Sequence, residues 1–390
     1  MDSGVPLPAP REASDLRSRR RAGPDRLAET APLSLVEPNP FQINGRSIGP
    51  GHPAYLVAEM SANHGGSLDT ALALVDAAAE AGADAIKLQT YTPDTLTLDS
   101  DAEPFRLRGT LWDGRTLYDL YREASLPWEW HAPIRARAEA AGMDFFSTPF
   151  DATAVDFLED LGVPVHKIAS FENVDLPLLR RVARTGKPVI LSTGMASLGE
   201  VDEAVRTLRE AGCEHLALLK CTSAYPAPPE EAHLRTIPHL RDTFGVVPGL
   251  SDHTLTDVVP VVAVAQGACI IEKHVTLSRE AGGPDSAFSL EPQDFRRMAD
   301  AVRTAEAALG SVSYGATEAQ QASRAFRRSL FVTEDVKAGE PFTEHNVRSI
   351  RPAAGLHTRH LGDVLGRVAA ADIARGTPLR WALVHSPAPR

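Results

Sequence analysis

Eight short apolar segments, each followed by an amphipathic stretch, restrict most strongly how this chain can fold. The amphipathic stretches carry apolar residues at i, i+3 and i+4, as in 71–81, 153–161, 198–211 and 294–309. This alternation predicts parallel strands joined by crossover helices, and eight such units close a TIM (β/α)8 barrel. A doubly wound open sheet is the main alternative. The predicted strands are Tyr55–Ser61, Ala85–Tyr91, Asp144–Phe150, Val165–Ser170, Pro188–Gly194, Leu216–Ser223, Val247–His253 and Cys269–Thr276.

The length of the chain leaves room for a second, smaller domain. A TIM barrel takes about 250 residues, and this chain has 390. Residues 1–40 are rich in Pro and Arg without an apolar period, which indicates a disordered tail. We assign 41–310 to the barrel domain, 311–328 to a polar linker and 329–390 to a small β-rich domain. Its predicted strands are Ser329–Val332, Val347–Ile350, Val368–Ala370 and Leu379–Leu383.

Composition excludes several classes of protein. No apolar run approaches the roughly 20 residues that span a bilayer, so no membrane partner is expected. A net charge of -11 argues against general nucleic-acid binding, because a phosphate-tracking surface needs clustered Lys and Arg. The three cysteines are an odd number without CxxC spacing, which favours a reducing cytoplasm.

Polar residues accumulate where the predicted barrel strands end. The reacting groups of TIM barrels come from the carboxyl ends of the strands, so this pattern predicts a site in one cavity. The residues concerned are Glu59, Ser61, Asn63, His64, Lys87, Gln89, Ser147, Thr148, Lys167, Ser170, Glu172, Ser192, Thr193, Lys220, Thr222, Ser223, Tyr225, Ser251, Asp252, His253, Glu272, Lys273 and His274.

Two of these residues, Lys87 and Lys167, indicate a negatively charged ligand. An unpaired ammonium group is costly to bury, and the neighbouring hydroxyl groups are suitable donors for phosphate oxygens. A salt bridge with a strand carboxylate explains either lysine alone equally well. The hydroxyl groups near both lysines favour a phosphorylated small molecule as the ligand.

The other candidates for metal binding or acid–base catalysis are His253, His274 and Glu59. Two imidazoles at the ends of adjacent strands can bind one metal ion together with water, although packing or hydrogen bonding explains either histidine alone. Glu59 can serve as a general acid or base, or simply as the partner of Lys87. Spacing therefore predicts phosphate binding and leaves the reaction open.

Six motifs resemble those of the sialic acid synthase family: 59–64 (EMSANH), 87–90 (KLQT), 167–170 (KIAS), 191–195 (LSTGM), 249–254 (GLSDHT) and 272–274 (EKH). The resemblance runs from Tyr55 to Leu383, and the final domain resembles the SAF, or antifreeze-like, domain of these enzymes. Within the family the chain looks most like the pseudaminic acid synthases, through residues 111–118, 127–131 and 283–290.

The resemblance implies a transferase that condenses phosphoenolpyruvate with 2,4-diacetamido-2,4,6-trideoxy-β-L-altropyranose and water, giving pseudaminic acid and phosphate. It implies a catalytic role for Glu59, Lys87, His253 and His274, and a divalent Mn, Mg or Co ion bound by His253 and His274. Phosphoenolpyruvate would be held by Lys87, Thr148, Lys167, Ser170, Ser192, Ser223 and Ser251. The sugar would be held by Gln89, Glu172, Tyr225, Asp285, Phe288 and Arg351, the last contributed by the partner in a domain-exchanged homodimer.

Three positions depart from the pattern of N-acetylneuraminate synthases. Ser286 and Phe288 stand where those enzymes usually carry His and Lys, and Ser61 stands where they favour Gly. An aromatic side chain and fewer polar groups suit a 6-deoxy sugar, because an unpaired buried polar group is penalised. The alternatives are an N-acetylneuraminate or legionaminic acid synthase, a Schiff-base aldolase, and a non-enzymatic carbohydrate-binding protein.

Overall fold

The computed structural model describes residues 38–385, which divide after Gly310 into two compact units. The predicted disordered tail, residues 1–40, lies outside this range except for its last three residues. Between residues 38 and 385, no helix combines the length and hydropathy that crossing a membrane would require.

The first unit is a closed barrel of eight parallel strands, as predicted, and not an open sheet. The strands follow one another around the barrel in chain order, and the last pairs with the first through Ile270 and Tyr55. Each lies within its predicted segment. After two short strands, β1 (Phe41–Ile43) and β2 (Arg46–Ile48), the barrel strands are β3 (Tyr55–Glu59), β4 (Ala85–Thr90), β5 (Asp144–Pro149), β6 (His166–Ile168), β7 (Val189–Ser192), β8 (Leu216–Cys221), β9 (Val247–Asp252) and β10 (Ile270–His274).

Helices surround the barrel, and their ends carry recognisable caps. The helix at 152–161 begins after Asp151, whose carboxylate accepts from two backbone amides, and ends at Gly162 with a left-handed φ of 77°. The helices are α1 (Leu68–Glu80), α2 (Pro93–Leu96), α3 (Leu117–Ala124), α4 (His131–Ala140), α5 (Ala152–Leu161), α6 (Leu176–Ala183), α7 (Leu198–Glu210), α8 (Thr236–Phe244), α9 (Val258–Ala265) and α10 (Pro292–Leu309).

A β-hairpin that the sequence analysis did not predict covers the amino-terminal end of the barrel. β1 and β2 pair through a turn at Asn44 and Gly45, both with positive φ, which suits an Asn-Gly turn. Phe41 and Ile48 are buried, and Asn44 hydrogen-bonds Asp144, the first residue of β5. A substrate is therefore expected to enter from the carboxyl end.

The long connection after β4 forms a second hairpin on the carboxyl-end rim. In this rim hairpin, residues 106–116, Leu107 N donates to Arg115 O at 2.9 Å and Gly114 N donates to Leu107 O at 3.1 Å. The connection begins with α2 and ends with α3. It follows β4, yet its tip contacts residues after β8 and β10, so it reaches across the barrel mouth.

The second unit is small and built from short strands. β11 (Ser329–Val332) pairs with β12 (Val347–Ile350), and β13 (Val368–Ala369) pairs with β14 (Val384–His385), both antiparallel, around a core that includes Leu330 and Phe342. Residues 318–326 of the predicted linker contain α11 (Glu318–Gln321) and a 3-10 turn, and α12 (Leu361–Val364) follows β12.

One strand prediction in this unit is wrong. Leu379 N donates to Leu330 O and Leu379 O accepts from Leu356 N, but a 3-10 turn at Trp381–Leu383 then interrupts the extended chain. The strand therefore forms only at Val384 and His385, beyond the predicted segment Leu379–Leu383. Apolar composition alone could not distinguish an extended segment from this turn.

Candidate active site

Strand alternation sorts the polar strand ends into two faces. Side chains two residues apart on a strand point the same way, so Glu272 and His274 share a face that excludes Lys273. Lys273 donates instead to Asp252 at 2.8 Å. Ser147 hydrogen-bonds Thr90, which also contacts His131 on α4 and so lies on the outer face of the barrel wall. Ser147, Asp252 and Lys273 therefore do not share the face on which Glu272 and His274 lie.

A buried charged cluster of Glu59, Lys87, Lys167 and Glu272 lies inside the barrel. Lys87 Nζ forms an ion pair with Glu59 Oε2 and lies 3.6 Å from Glu272 Oε1. Lys167 Nζ lies 3.3 Å from the same Glu272 oxygen. The salt bridges that the sequence analysis left open thus exist, and Glu272, a strand-end residue to which the sequence analysis gave no role, links the two lysines.

The pKa values within this cluster diverge because of burial and charge. Burial, only partly offset by Lys87, raises the pKa of Glu59. Burial alone would raise the pKa of Glu272. The charges of Lys167 and Lys87 together lower it by more, so the net pKa of Glu272 is depressed. Burial also lowers the pKa of Lys167 despite the nearby Glu272. A proton on Glu59 would leave the cluster with one excess positive charge, which an anionic ligand could neutralise.

Hydroxyl groups surround the charged cluster on several strands. Thr148 Oγ1 accepts from Lys87 at 3.1 Å, and Ser251 Oγ donates to Glu272 at 3.4 Å. Ser192 Oγ is buried and has no hydrogen-bond partner among the described residues. A buried hydroxyl without a partner is unusual and is expected to be satisfied by a ligand or water.

Two further hydroxyl groups, those of Ser170 and Ser223, lie close to the backbone of Gly194. Its amide donates to Ser170 Oγ at 3.1 Å, and a Cβ at this position would lie 2.6 Å from Ser170 Oγ and closer still to Ser223 Oγ. A side chain here would therefore displace both serines predicted to hold phosphoenolpyruvate.

Because the resemblance implies that Ser170 and Ser223 hold phosphoenolpyruvate, Gly194→Ala is expected to raise the KM for it roughly 10- to 100-fold; hydrogen bonds to a charged group contribute about 1.5–3 kcal/mol. Steady-state kinetics with purified protein measures this change. Gly199→Ala on α7 is the matched control, since a Cβ there meets nothing closer than 4.0 Å. An unchanged KM in a folded Gly194→Ala protein would contradict the placement of Ser170 and Ser223.

His253 and His274 lie side by side, with ring centroids 5.2 Å apart. Burial, reinforced by His253, lowers the pKa of His274 well below its usual value, which keeps this imidazole in the neutral form that binds metals. His274 Nδ1 is buried without a hydrogen-bond partner among residues 38–385. His274 thus suits a divalent metal, although within that range no group of three or more His, Cys, Asp and Glu residues could hold one.

Aromatic rings surround the histidine pair on the side of the mouth. Phe288, which is 2% exposed, lies 5.0 Å from His274 and 4.9 Å from Tyr225 between ring centroids. Tyr225 in turn lies 6.1 Å from Trp112 at the tip of the rim hairpin. We call Trp112, Tyr225 and Phe288 the aromatic wall; Trp112 was quoted in a motif but not predicted as a site residue.

A polar chain of side chains connects Glu59 to Asp285. Gln89 Nε2 donates to Glu59 Oε1 at 3.1 Å and to Ser61 Oγ at 2.9 Å, and Ser61 Oγ donates to Asp285. Ser61 has a φ of 49°, unusual for a residue with a side chain. Ser61 thus connects three predicted site residues, Glu59, Gln89 and Asp285. The sequence did not reveal this central position of Ser61.

Two remaining predicted sugar residues occupy different surroundings. Burial raises the pKa of Glu172 to about 7, and its Oε2 is buried without a partner among the described residues. Arg351 is exposed in the second unit, after β12, so its predicted reach into a partner's barrel stays a prediction.

Cys221 is a neighbour of the site that the sequence analysis did not single out. Burial raises the pKa of its thiol, but interactions with His253, Ser170 and Lys167 outweigh this, and the net pKa falls to about 7. Its Sγ also lies 3.8 Å from Ser223 Oγ. Apolar strand composition concealed this residue, because a cysteine in a strand normally indicates packing.

Both units match known protein families. The model of the NeuB family matches residues 74–314, and that of the SAF domain matches residues 327–385. The structure is similar to a crystal structure of an N-acetylneuraminic acid synthetase from Leptospira borgpetersenii, with a TM-score of 0.66 and 30% identity. That match covers 73% of this chain and 95% of the crystallised one.

Two curated relatives from Campylobacter jejuni differ in their similarity to this chain. A pseudaminic acid synthase is 46% identical over 326 residues, which cover 84% of this chain and 95% of the relative. An N,N'-diacetyllegionaminic acid synthase is 37% identical over 318 residues, which cover 80% of this chain and 95% of the relative. The two enzymes are named for different nine-carbon products, and the similarity is higher for the first.

Proposed function

Since this chain belongs to the NeuB family, we propose that it catalyses the reaction of a pseudaminic acid synthase. In that reaction phosphoenolpyruvate and 2,4-diacetamido-2,4,6-trideoxy-β-L-altropyranose combine with water to give pseudaminic acid and phosphate. The observation that carries the proposal is the charged cluster, ringed by hydroxyl groups, directly beside a histidine pair and the aromatic wall. The charged side of this site suits phosphoenolpyruvate, and the side of the histidine pair and the aromatic wall suits the sugar.

The charged side of the site is suited to phosphoenolpyruvate. Lys87 and Lys167 supply cationic donors, and Thr148, Ser192 and Ser251 supply hydroxyl groups on the alternate strands β5, β7 and β9. Phosphate oxygens accept several short, charge-assisted hydrogen bonds, and this set of donors can provide them. We therefore place both the phosphate and the carboxylate of phosphoenolpyruvate among these groups.

The reaction forms one carbon–carbon bond and breaks one carbon–oxygen bond. Carbon three of phosphoenolpyruvate attacks the aldehyde carbon of the open-chain sugar, which leaves positive charge on carbon two. Water adds to carbon two, and the tetrahedral product loses phosphate with its bridging oxygen. In this proposal Glu59 accepts a proton from this water and passes it to the alkoxide formed from the aldehyde; burial raises the pKa of Glu59, which makes its carboxylate a stronger base.

His253 and His274 would hold the divalent metal, either Mn, Mg or Co. A bound divalent ion supplies Lewis acidity that polarises an aldehyde oxygen. The two imidazoles are fixed by their surroundings, because His253 Nδ1 hydrogen-bonds Thr222 O at 3.0 Å and Phe288 packs against His274.

The proposal is tested by offering phosphoenolpyruvate and manganese with one of three sugars, then measuring phosphate release and product mass. We expect turnover with the diacetamido-trideoxy-altrose and its loss in the presence of a chelator. Preference for the manno counterpart would favour a legionaminic acid synthase, and preference for N-acetylmannosamine would favour an N-acetylneuraminate synthase. No phosphate with any of the three sugars would favour a carbohydrate-binding protein.

We further propose that the active form is a domain-exchanged homodimer in which Arg351 of one subunit reaches the sugar in the other. Exposed apolar side chains on the carboxyl-end rim, Phe171, Val174, Met195 and Leu198, support a covered surface there. Mixing the separately inactive Arg351→Ala and Glu59→Gln proteins under subunit exchange should restore part of the activity, because one mixed site is intact. Absence of recovery in proven heterodimers would contradict this exchange.

We also propose a cytoplasmic location. Cys213, Cys221 and Cys269 are all buried free thiols, which suits a reducing compartment. Fractionation of cells that produce the protein would place it with cytoplasmic markers, and recovery in an oxidising compartment would contradict the proposal.

A further inference from the structure

Trp112, at the tip of the rim hairpin, contacts two other loops of the barrel mouth, the one after β10 and the one after β8. Trp112 Nε1 donates to Pro284 O at 2.9 Å, and Pro284 immediately precedes Asp285. Barrel order puts β4, from which the hairpin emerges, four strands from β8, whose following loop carries Tyr225. Trp112 therefore lies over the mouth, and its contact positions the loop that carries Asp285 and Phe288.

A cleft of about 450 Å³ lies between the hairpin tip and the loop after β8. It is lined by residues 109–112 and 223–225, which include Trp112 and Tyr225. The ring of Phe288 lies 4.9 Å from that of Tyr225 and so extends this surface towards His274. One side of the sugar pocket is thus aromatic, whereas the other carries Gln89, Ser61 and Asp285.

The orientation of the sugar follows from the reaction. Its aldehyde carbon must meet carbon three of phosphoenolpyruvate beside the charged cluster and the histidine pair, inside the barrel. The far end of the open chain, carbon six, must then point towards the mouth, where the rim hairpin lies. An aromatic ring favours a methyl group at that point, because a hydroxyl would lose its hydrogen bonds to water.

We propose that Trp112 is a specificity-determining residue that selects sugars with a methyl group, not a hydroxymethyl group, at carbon six. The inference rests on the proposed function and extends it to the chemical class of the sugar's outer end. The indole ring forms the outermost part of the aromatic wall, and its N–H fixes the distance between the hairpin and the Asp285 loop.

The test compares kcat/KM for the diacetamido-trideoxy-altrose and for its 6-hydroxy counterpart. Trp112→Gln keeps an N–H donor for Pro284 O but replaces the ring with a polar amide. It should reduce the preference for the 6-deoxy sugar by about 10-fold or more, the discrimination typical of one buried apolar contact. Trp112→Phe, which keeps a ring but loses the donor, should lose activity on both sugars while largely keeping the preference.

Trp128→Phe is the matched control. Its indole also donates to a backbone carbonyl, Tyr91 O at 3.3 Å, but its ring packs against Phe157 on α5. The sugar preference of this variant should equal that of the wild type. Equal losses on both sugars in Trp112→Gln would overturn the inference and leave the proposed function standing, whereas an inactive wild type would overturn both.

Tryptophan fluorescence provides a second measurement that does not require Trp112→Gln to fold. Binding of the 6-deoxy sugar should change the emission of the wild type and of Trp128→Phe, and this change should be missing in Trp112→Phe. The same emission change in Trp112→Phe as in the wild type would overturn the contact between Trp112 and the sugar.

Discussion

Replacing Lys87 with methionine should lower kcat/KM for phosphoenolpyruvate by about 1,000-fold, because truncating one partner of a buried, hydrogen-bonded charge pair between protein and ligand costs about 2–5 kcal/mol of binding. Methionine keeps the length of the side chain but removes the cation shared by Glu59, Glu272 and Thr148. The loss should be largest in the KM for phosphoenolpyruvate. Initial rates at varied phosphoenolpyruvate and saturating sugar measure it.

Lys273→Met is the matched control for Lys87→Met. Lys273 is also a buried strand lysine, but it pairs with Asp252 on the other face of the barrel wall. Both substitutions should lower the melting temperature, whereas only Lys87→Met should greatly raise the KM. Similar kinetic losses in both variants would mean that Lys87 acts through stability and not through the ligand.

Glu59→Gln should lower kcat by a factor of about 100 to 10,000, the usual contribution of a general acid or base, and change the KM for phosphoenolpyruvate little. The amide has nearly the same shape as the carboxylate, so Gln89 and Lys87 keep a neighbour that can accept hydrogen bonds. What it loses is the ability to take and return a proton. Single-turnover rates isolate this effect from product release.

Glu159→Gln serves as the control for that substitution. Glu159 also pairs with a lysine, Lys187, at 2.7 Å, but it lies on α5 outside the barrel. Its substitution should leave kcat close to the wild-type value. If Glu59→Gln altered only the melting temperature, Glu59 would be merely the salt-bridge partner of Lys87.

The barrel could be predicted from sequence because each strand is a short apolar run with its own flanking helix. Errors at strand ends have a local cause: β3 ends at Glu59, before Ser61, whose positive φ starts a 3-10 turn. The final domain was harder, since its strands are two to four residues long and a turn of similar composition replaced one of them.

The strand-end residues, which form the inner part of the site, were largely predictable from the sequence. The contacts between loops over the barrel mouth were not. Period-two alternation places Lys87 with Gln89 and Ser251 with His253 on one face, so the strand-end residues converge once the barrel closes. Trp112 and Pro284 are 172 positions apart, and no local pattern indicates that they meet. Such contacts depend on how loops fold over the mouth.

The most direct test of the account follows the bridging oxygen of phosphoenolpyruvate. With this oxygen labelled as 18O, mass spectrometry of the released phosphate identifies the bond that breaks. Attack by carbon three followed by addition of water at carbon two predicts phosphate that retains the label, together with an unlabelled nine-carbon product. Unlabelled phosphate, with the label left in the keto acid, would indicate phosphorus–oxygen cleavage and contradict the condensation proposed for this site.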